Sequence, residues 1–403
     1  MTNPMPTRFA ALSERLRAAW KPHKAPTTPR AYRCQCGRPV FFDNTECLAC
    51  RTALGYEPSR GQVLPLAAAG SVGWRLFDAP AGDGRRYQRC GNFDSPAACN
   101  WLVPVADGVE TPELCVACQL NRTIPDLSVP DNQLHWARIE SAKRRLVSQL
   151  IALGLPVTSK DDDPEHGLAF DFLCSLQGQP VMTGHADGVI TINVEEADDA
   201  RREQVRTQMG EPYRTLLGHF RHEIGHYYWD RLVRDTAWLS PVRALFGDDR
   251  QDYAASLKHN YEHGPPPDWP QRFVSSYASC HPWEDWAETW AHYLHMVDTV
   301  DTALSFGIDA DQVRLDAEPW GPDALWNPKD PGAEAFLGFL NAWVELTAVL
   351  NEMARAMGQR DFYPFVLPRP AVAKLQMIHA IVHGQKPPAA ANAITPGTAG
   401  AAP

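Results

Sequence analysis

Two histidines four residues apart, in His222-Glu223-Ile224-Gly225-His226, constrain this chain more than any other stretch. Helical residues four apart lie one turn apart on the same face, so His222 and His226 can grip one metal ion together. The fold must then supply a helix there and bring a further donor to it. Glu223 lies beside the pair, within reach of a proton on a water activated by zinc. A buried helix could instead carry both imidazoles as hydrogen-bonded core residues. A third ligand is what separates the two readings.

Zinc that does chemistry usually takes three protein ligands and leaves one position for water. The segment from Pro282 to His292 offers candidates. Trp283, Ala287, Trp290, Ala291 and Leu294 make an apolar face, with Pro282 in the first turn of the expected helix. Glu284, Glu288 and His292 share another face at four-residue steps, so neighbours among them can approach the ion, one as ligand and one behind it. Glu284 and His292 cannot both bind it, because two helical turns separate them by about 11–12 Å. A solvated face would explain the acids, but the tryptophans argue for an interior helix.

Eight of the ten cysteines fall before residue 120, in two sets: Cys34, Cys36, Cys47 and Cys50, then Cys90, Cys99, Cys115 and Cys118. Close thiol pairs brought together across a hairpin make tetrahedral sulfur sites, so two structural zinc ions are expected. Gly37 and the Asp43-Asn44 turn give the first set a knuckle–hairpin–knuckle layout, whereas Cys90 and Cys99 are spaced more loosely than a standard pair. A disulfide framework needs an oxidising compartment. Residues 1–24 carry scattered basic residues without an apolar leader, so a cytoplasmic location is expected. Cys174 and Cys280 are left as small buried hydrophobes.

Hydrophobic residues make up 44% and charged residues 21% of the 403, the balance of a soluble globular chain. No membrane-spanning run is expected. Residues 1–130 carry a net charge of +4 and residues 131–403 a net charge of −14. Two four-thiolate zinc sites would cancel the positive half, so a nucleic-acid groove is not expected. The organisation reads as a helix at Phe9 to Trp20 and a tether (1–30), a ribbon module (31–125), a metal-binding domain (131–385) and a disordered tail (386–403). Within the third unit, Asn132 is expected to cap a helix with Trp136, Ile139, Leu146, Leu150 and Leu153 on its apolar face. Strands are expected at Leu168 to Cys174 and Val189 to Val194, with a turn at Ala186-Asp187-Gly188. Pro212 is expected to open the His222 helix. The fold class is α+β, with a zinc-ribbon module before a mostly helical zincin-like domain with a small sheet.

The block Ser276-Tyr277-Ala278-Ser279 followed by Trp283 to Glu288 resembles the third-ligand region of the gluzincin peptidases, especially anthrax lethal factor. That resemblance implies Glu284 as zinc ligand, Glu288 as its outer partner and Tyr277 as donor to the oxyanion of the scissile carbonyl. More widely, the chain is similar to a bacterial family of zinc-binding metallopeptidases that join a ribbon to a helix of the His222-to-Trp229 pattern. A metzincin pattern needs Gly and His or Asp where Trp229 and Leu232 stand. The resemblance implies a peptidase in which zinc on His222, His226 and Glu284 activates water and Glu223 is the general base. Val189 to Val194 could be an edge that pairs with an extended peptide or protein substrate, or, at least as readily, part of an ordinary core hairpin. A non-peptide amide as substrate, or a binding protein with a vestigial metal site that recruits partners through its ribbons, are the other readings. The intact Glu223 argues against the last.

Overall fold

The computed structural model describes residues 30–70, 73–80, 82–175, 179–308, 315 and 318–387. The helix expected at Phe9 to Trp20 and the tail after residue 387 lie outside them. Strands β1 (Tyr32–Arg33) and β2 (Pro39–Val40) pair antiparallel around Cys34, Cys36 and Gly37. Gly37 turns the chain there with φ +82°, a conformation that costs glycine little. An antiparallel meander follows: β3 (Leu54–Glu57), β4 (Gln62–Ala68), β5 (Trp74–Leu76), β6 (Arg86–Arg89) and β7 (Leu102–Val105). Its inward positions Leu66, Leu76, Tyr87 and Leu102 form a small core of their own.

The meander begins after the first Cys set and carries the second. Cys90 directly follows β6 and Cys99 precedes β7, so the second Cys set straddles a sheet hairpin instead of closing a separate ribbon. Alternating apolar residues between the Cys sets bury one face of the sheet, which short knuckles alone could not do.

Strand β8 (Asn121–Thr123) is followed by helix α1 (Pro130–Ala152) and β9 (Ala169–Leu173). Then come β10 (Gly184–Ala186) and β11 (Val189–Asn193). The second sheet runs in the order β10-β11-β9-β8. β8 and β11 lie parallel to β9, so α1 is the crossover that a parallel pair requires. Asp187 and Gly188, with φ +49° and +74°, turn β10 into β11. β11 therefore lies inside the sheet, and the outer strand is β10. Of the two readings of Val189 to Val194, a substrate-pairing edge and a core hairpin, the structure has the hairpin, because β9 and β10 take both of its sides.

The remaining helices are α2 (Asp199–Gln208), α3 (Leu216–Leu232), α4 (Leu239–Phe246), α5 (Tyr253–His263), α6 (Pro282–Ser305), α7 (Ala333–Ala356) and α8 (Arg369–Val382). Two expected starts move. α1 begins at Pro130, and Asn132 lies in its first turn, donating to the Asp126 carbonyl at 3.0 Å instead of capping. α3 begins after Thr215, whose hydroxyl accepts from the Gly218 amide at 2.9 Å; this cap outcompetes Pro212 as the start signal. α7 is long and apolar enough to cross a membrane, which the sequence reading did not expect, but it packs Phe336, Leu340 and Trp343 into the protein core.

One continuous core joins the ribbon region to the helices, running from Tyr56 and Trp101 through Trp136 and Phe170 to Trp286 and Trp343. Phe220 of α3 packs edge-on against Phe170 and Phe172 of β9, at 5.6 and 6.3 Å. Gly225 lets α6 close on α3: a Cβ there would stand 3.0 Å from the Ala287 Cα. The Trp286 indole donates to the Gly225 carbonyl at 2.9 Å and fixes the register of the two helices. That register decides what faces His222 and His226.

Candidate metal centre

α3 carries His222, Glu223 and His226, and α6 crosses it with Glu284 in its first turn. Pro282 opens α6 at its first position, and the His281 ring caps it by accepting from the Trp283 amide at 3.0 Å. The donor atoms of His222, His226 and Glu284 all lie within 4.8 Å of one another. His222 Nε2 is 2.9 Å from Glu284 Oε2, and His226 Nε2 is 3.6 Å from Glu284 Oε1. The face of Trp283 covers His226 at 3.9 Å. Two imidazole nitrogens and one carboxylate are a donor set that suits zinc.

One turn beyond Glu284, Glu288 accepts from the other nitrogen of His222, Nδ1, at 2.7 Å. Ser275 Oγ donates to the second oxygen of Glu288 at 2.5 Å. The two carboxylates thus divide their work: Glu284 faces the convergence point and Glu288 stands behind His222. Burial disfavours charge on the His222 ring, yet Glu284 and Glu288 raise its pKa well above the usual imidazole range. Burial likewise opposes the Glu284 charge, but His226 and His222 hold that carboxyl well below its ordinary range. The imidazoles and carboxylates of the cluster are thus electrostatically complementary.

Glu223 is 8% exposed, and burial raises its pKa. It lines a cavity of about 390 Å³ together with His222, Tyr277, Glu288 and Tyr261. Tyr277 opens a short turn before α6, and its ring lies 6.0 Å from that of His222. His292, at the third step of the α6 row, stays out of the donor set; its Nδ1 pairs with the Tyr363 hydroxyl at 2.5 Å. His219 reaches Glu196 at 3.3 Å on the cavity wall.

Sequence reasoning missed Tyr253 and Ser275. The Tyr253 hydroxyl donates to Glu284 Oε1 at 2.6 Å, from α5, which lies in the chain between the two helices of the site. Ser275 directly precedes the Ser276-Tyr277 block, but nothing in its local sequence marks it as a partner of Glu288.

The cysteines converge at two further points. Cys34, Cys36, Cys47 and Cys50 form one group and Cys90, Cys99, Cys115 and Cys118 the other, and in each the sulfurs lie within 4.8 Å of one another. The Sγ atoms of Cys34 and Cys50 stand 3.6 Å apart, those of Cys36 and Cys47 3.8 Å, and those of Cys99 and Cys115 3.7 Å. A disulfide holds its sulfurs at about 2.05 Å. A tetrahedron with Zn–S arms of about 2.3 Å has edges near 3.8 Å, so the observed spacing fits zinc. The second site is fully buried, with Glu140, Lys143 and Arg144 of α1 against it.

Residues 132–381 match the family described as "Putative zinc-binding metallo-peptidase", and residues 31–129 match a zinc-ribbon domain. Uncharacterized proteins Rv2568c of Mycobacterium tuberculosis and Mb2598c of Mycobacterium bovis are each 42% identical to the chain over 355 residues. The match covers 88% of this chain and 95% of each relative. No solved structure matches it. Converging donors on two crossed helices, two sulfur tetrahedra before them and a family match over most of the chain lead to one statement: the chain belongs to that metallopeptidase family, with a zinc-ribbon region ahead of its helical domain.

Proposed function

We propose that this chain is a gluzincin-type zinc peptidase, holding one zinc ion for chemistry on His222, His226 and Glu284 and one in each four-cysteine site for structure. The observation that carries the reading is Glu223, a buried carboxylate on a cavity wall beside three donors that converge on one point. When bound, zinc supplies a Lewis acid that polarises a carbonyl and brings the pKa of water towards neutrality. Glu223 accepts the proton of the attacking water and returns it to the leaving amine, and its raised pKa suits both transfers. Tyr277 donates to the oxygen that gains charge in the transition state, and burial keeps its phenol protonated for the task. Glu288, steadied by Ser275, holds the Nδ1 proton of His222 and so leaves Nε2 for the ion.

An extended peptide has a natural partner in β10, the outer strand of its sheet, where the His185 ring lies 6.3 Å from that of His226. The cytoplasm is the compartment that suits eight thiols grouped for metal and not for disulfides.

The test is Glu223→Gln, incubated with a proteome-derived peptide library with and without chelator. The variant is expected to keep its zinc by metal analysis while cleavage falls by roughly 10²- to 10⁴-fold. Undiminished cleavage by Glu223→Gln, or wild-type cleavage that survives removal of zinc, would overturn the proposal.

A further inference from the structure

The carboxylate of Glu284 is held asymmetrically. One oxygen, Oε1, accepts the Tyr253 hydroxyl at 2.6 Å. The other, Oε2, is buried, has no hydrogen-bond partner and lies 2.9 Å from His222 Nε2. A carboxylate free at both oxygens can chelate an ion through both, which would fill the position that water needs. A hydroxyl bonded to a charged oxygen at this distance is among the stronger hydrogen bonds a side chain makes. It also occupies one of the lone pairs with which Oε1 would compete for metal.

Tyr253 comes from an unusual place. It is the first residue of α5, a helix that buries none of its residues and is flanked by Gly247 and Gly264, with φ +112° and +76°. Asp252 caps that helix by accepting from the Ala255 amide at 3.0 Å, which sets the direction in which Tyr253 leaves the chain. Its ring meets His281 and Trp283 edge-on at 5.3 and 5.6 Å, beside the start of α6. A phenol is an O–H donor at neutral pH, so the Tyr253 hydroxyl is the donor in its bond to Glu284.

We infer that Tyr253 is a positioning residue: although Glu284 Oε1 lies 3.6 Å from His226 Nε2, its bond to the Tyr253 hydroxyl leaves Oε2 as the oxygen offered to the ion, so that one coordination position stays open to water. This rests on His222, His226 and Glu284 holding a metal, but not on the identity of the substrate.

The experiment uses the full chain with Tyr253→Phe, which keeps the ring packing and removes only the hydroxyl. Zinc affinity is read by competition against a chromophoric chelator, and the visible spectrum of the Co²⁺-loaded centre reports coordination number. Leu257→Ala, on the same helix and outside the cavity, controls for loss of α5 packing. Tyr253→Phe is expected to retain the non-cysteine ion, with the Co²⁺ bands shifted in position and weakened as the freed Oε1 raises the coordination number. Leu257→Ala is expected to leave the spectrum unchanged. An unchanged spectrum in Tyr253→Phe would overturn the inference while leaving the metal site standing. The same spectral change in Leu257→Ala would also overturn it, since helix packing would then be the cause. A wild-type chain that binds only two ions would overturn the metal site itself, and this inference with it.

Discussion

Glu284 and Glu288 differ by one helical turn, and in the proposed centre that turn separates a ligand from a support. If the three proposed ions are bound, His222→Ala should lower the zinc content to two, since the eight cysteines form donor groups separate from His222. Glu288→Gln keeps a hydrogen-bond acceptor for His222 Nδ1 but loses the charge, so the ion should remain, held roughly 10- to 100-fold more weakly. Chelator competition measures this. If Glu284→Ala kept the ion while Glu288→Ala lost it, the two roles would be reversed. At this scale the sequence was informative about ligands, because a helix dictates which residues share a face whatever surrounds it. It was silent about Tyr253 and Ser275, which reach the site across 31 and 13 residues of chain. No periodicity links such pairs.

Helices α3 and α6 make the site by their closeness, and Gly225 permits that closeness. In Gly225→Ala the new Cβ would press on the Ala287 backbone at 3.0 Å and on the Trp290 Cβ at 3.1 Å, neither of which can swing aside. Thermal or denaturant unfolding should show a loss of about 1–3 kcal/mol, the usual cost of overpacking. Zinc affinity should fall in parallel, because the two histidines move away from Glu284. A variant with unchanged stability would mean that the helices separate at little cost. Helix α6 could be read in advance from its apolar spacing, with its start at Pro282; α3 was expected from its histidine pair, but its start was misplaced at Pro212. The Thr215 cap and the Pro130 start of α1 displaced the expected signals at Pro212 and Asn132. Several plausible caps stood close together in each case, and tertiary packing chose among them.

At the scale of the molecule, Asp298 ties the parts together. Its buried carboxylate takes Arg30 at 3.0 Å, Arg145 of α1 at 2.9 Å and Arg221 of α3, the residue before His222, at 2.8 Å. Burial opposes its charge, but the three guanidinium groups hold its pKa well below the carboxylate range. A carboxyl depressed on folding contributes stability that is complete above its unfolded value near 4 and is lost as pH falls below it. Asp298→Asn should therefore cost about 3–5 kcal/mol at neutral pH, since it leaves buried arginines uncompensated. It should also flatten the acid limb of the stability–pH curve. An unfolding series across pH checks both, and a mutant curve parallel to wild type would contradict the assignment. Cys115→Ser should likewise destabilise the whole chain and not the ribbon alone, because the second sulfur site lies within the common core. A separate early transition confined to the ribbon would count against that.

What the chain determined by itself was local chemistry: which side chains can bind metal, and which of them a helical turn or a cysteine knuckle sets side by side. The five-stranded meander, the interior place of β11, the Tyr253 contact and the Asp298 junction were decided only by tertiary structure. Each depends on surfaces meeting across long stretches of chain, where burial and hydrogen-bond satisfaction, and not sequence spacing, select the partner.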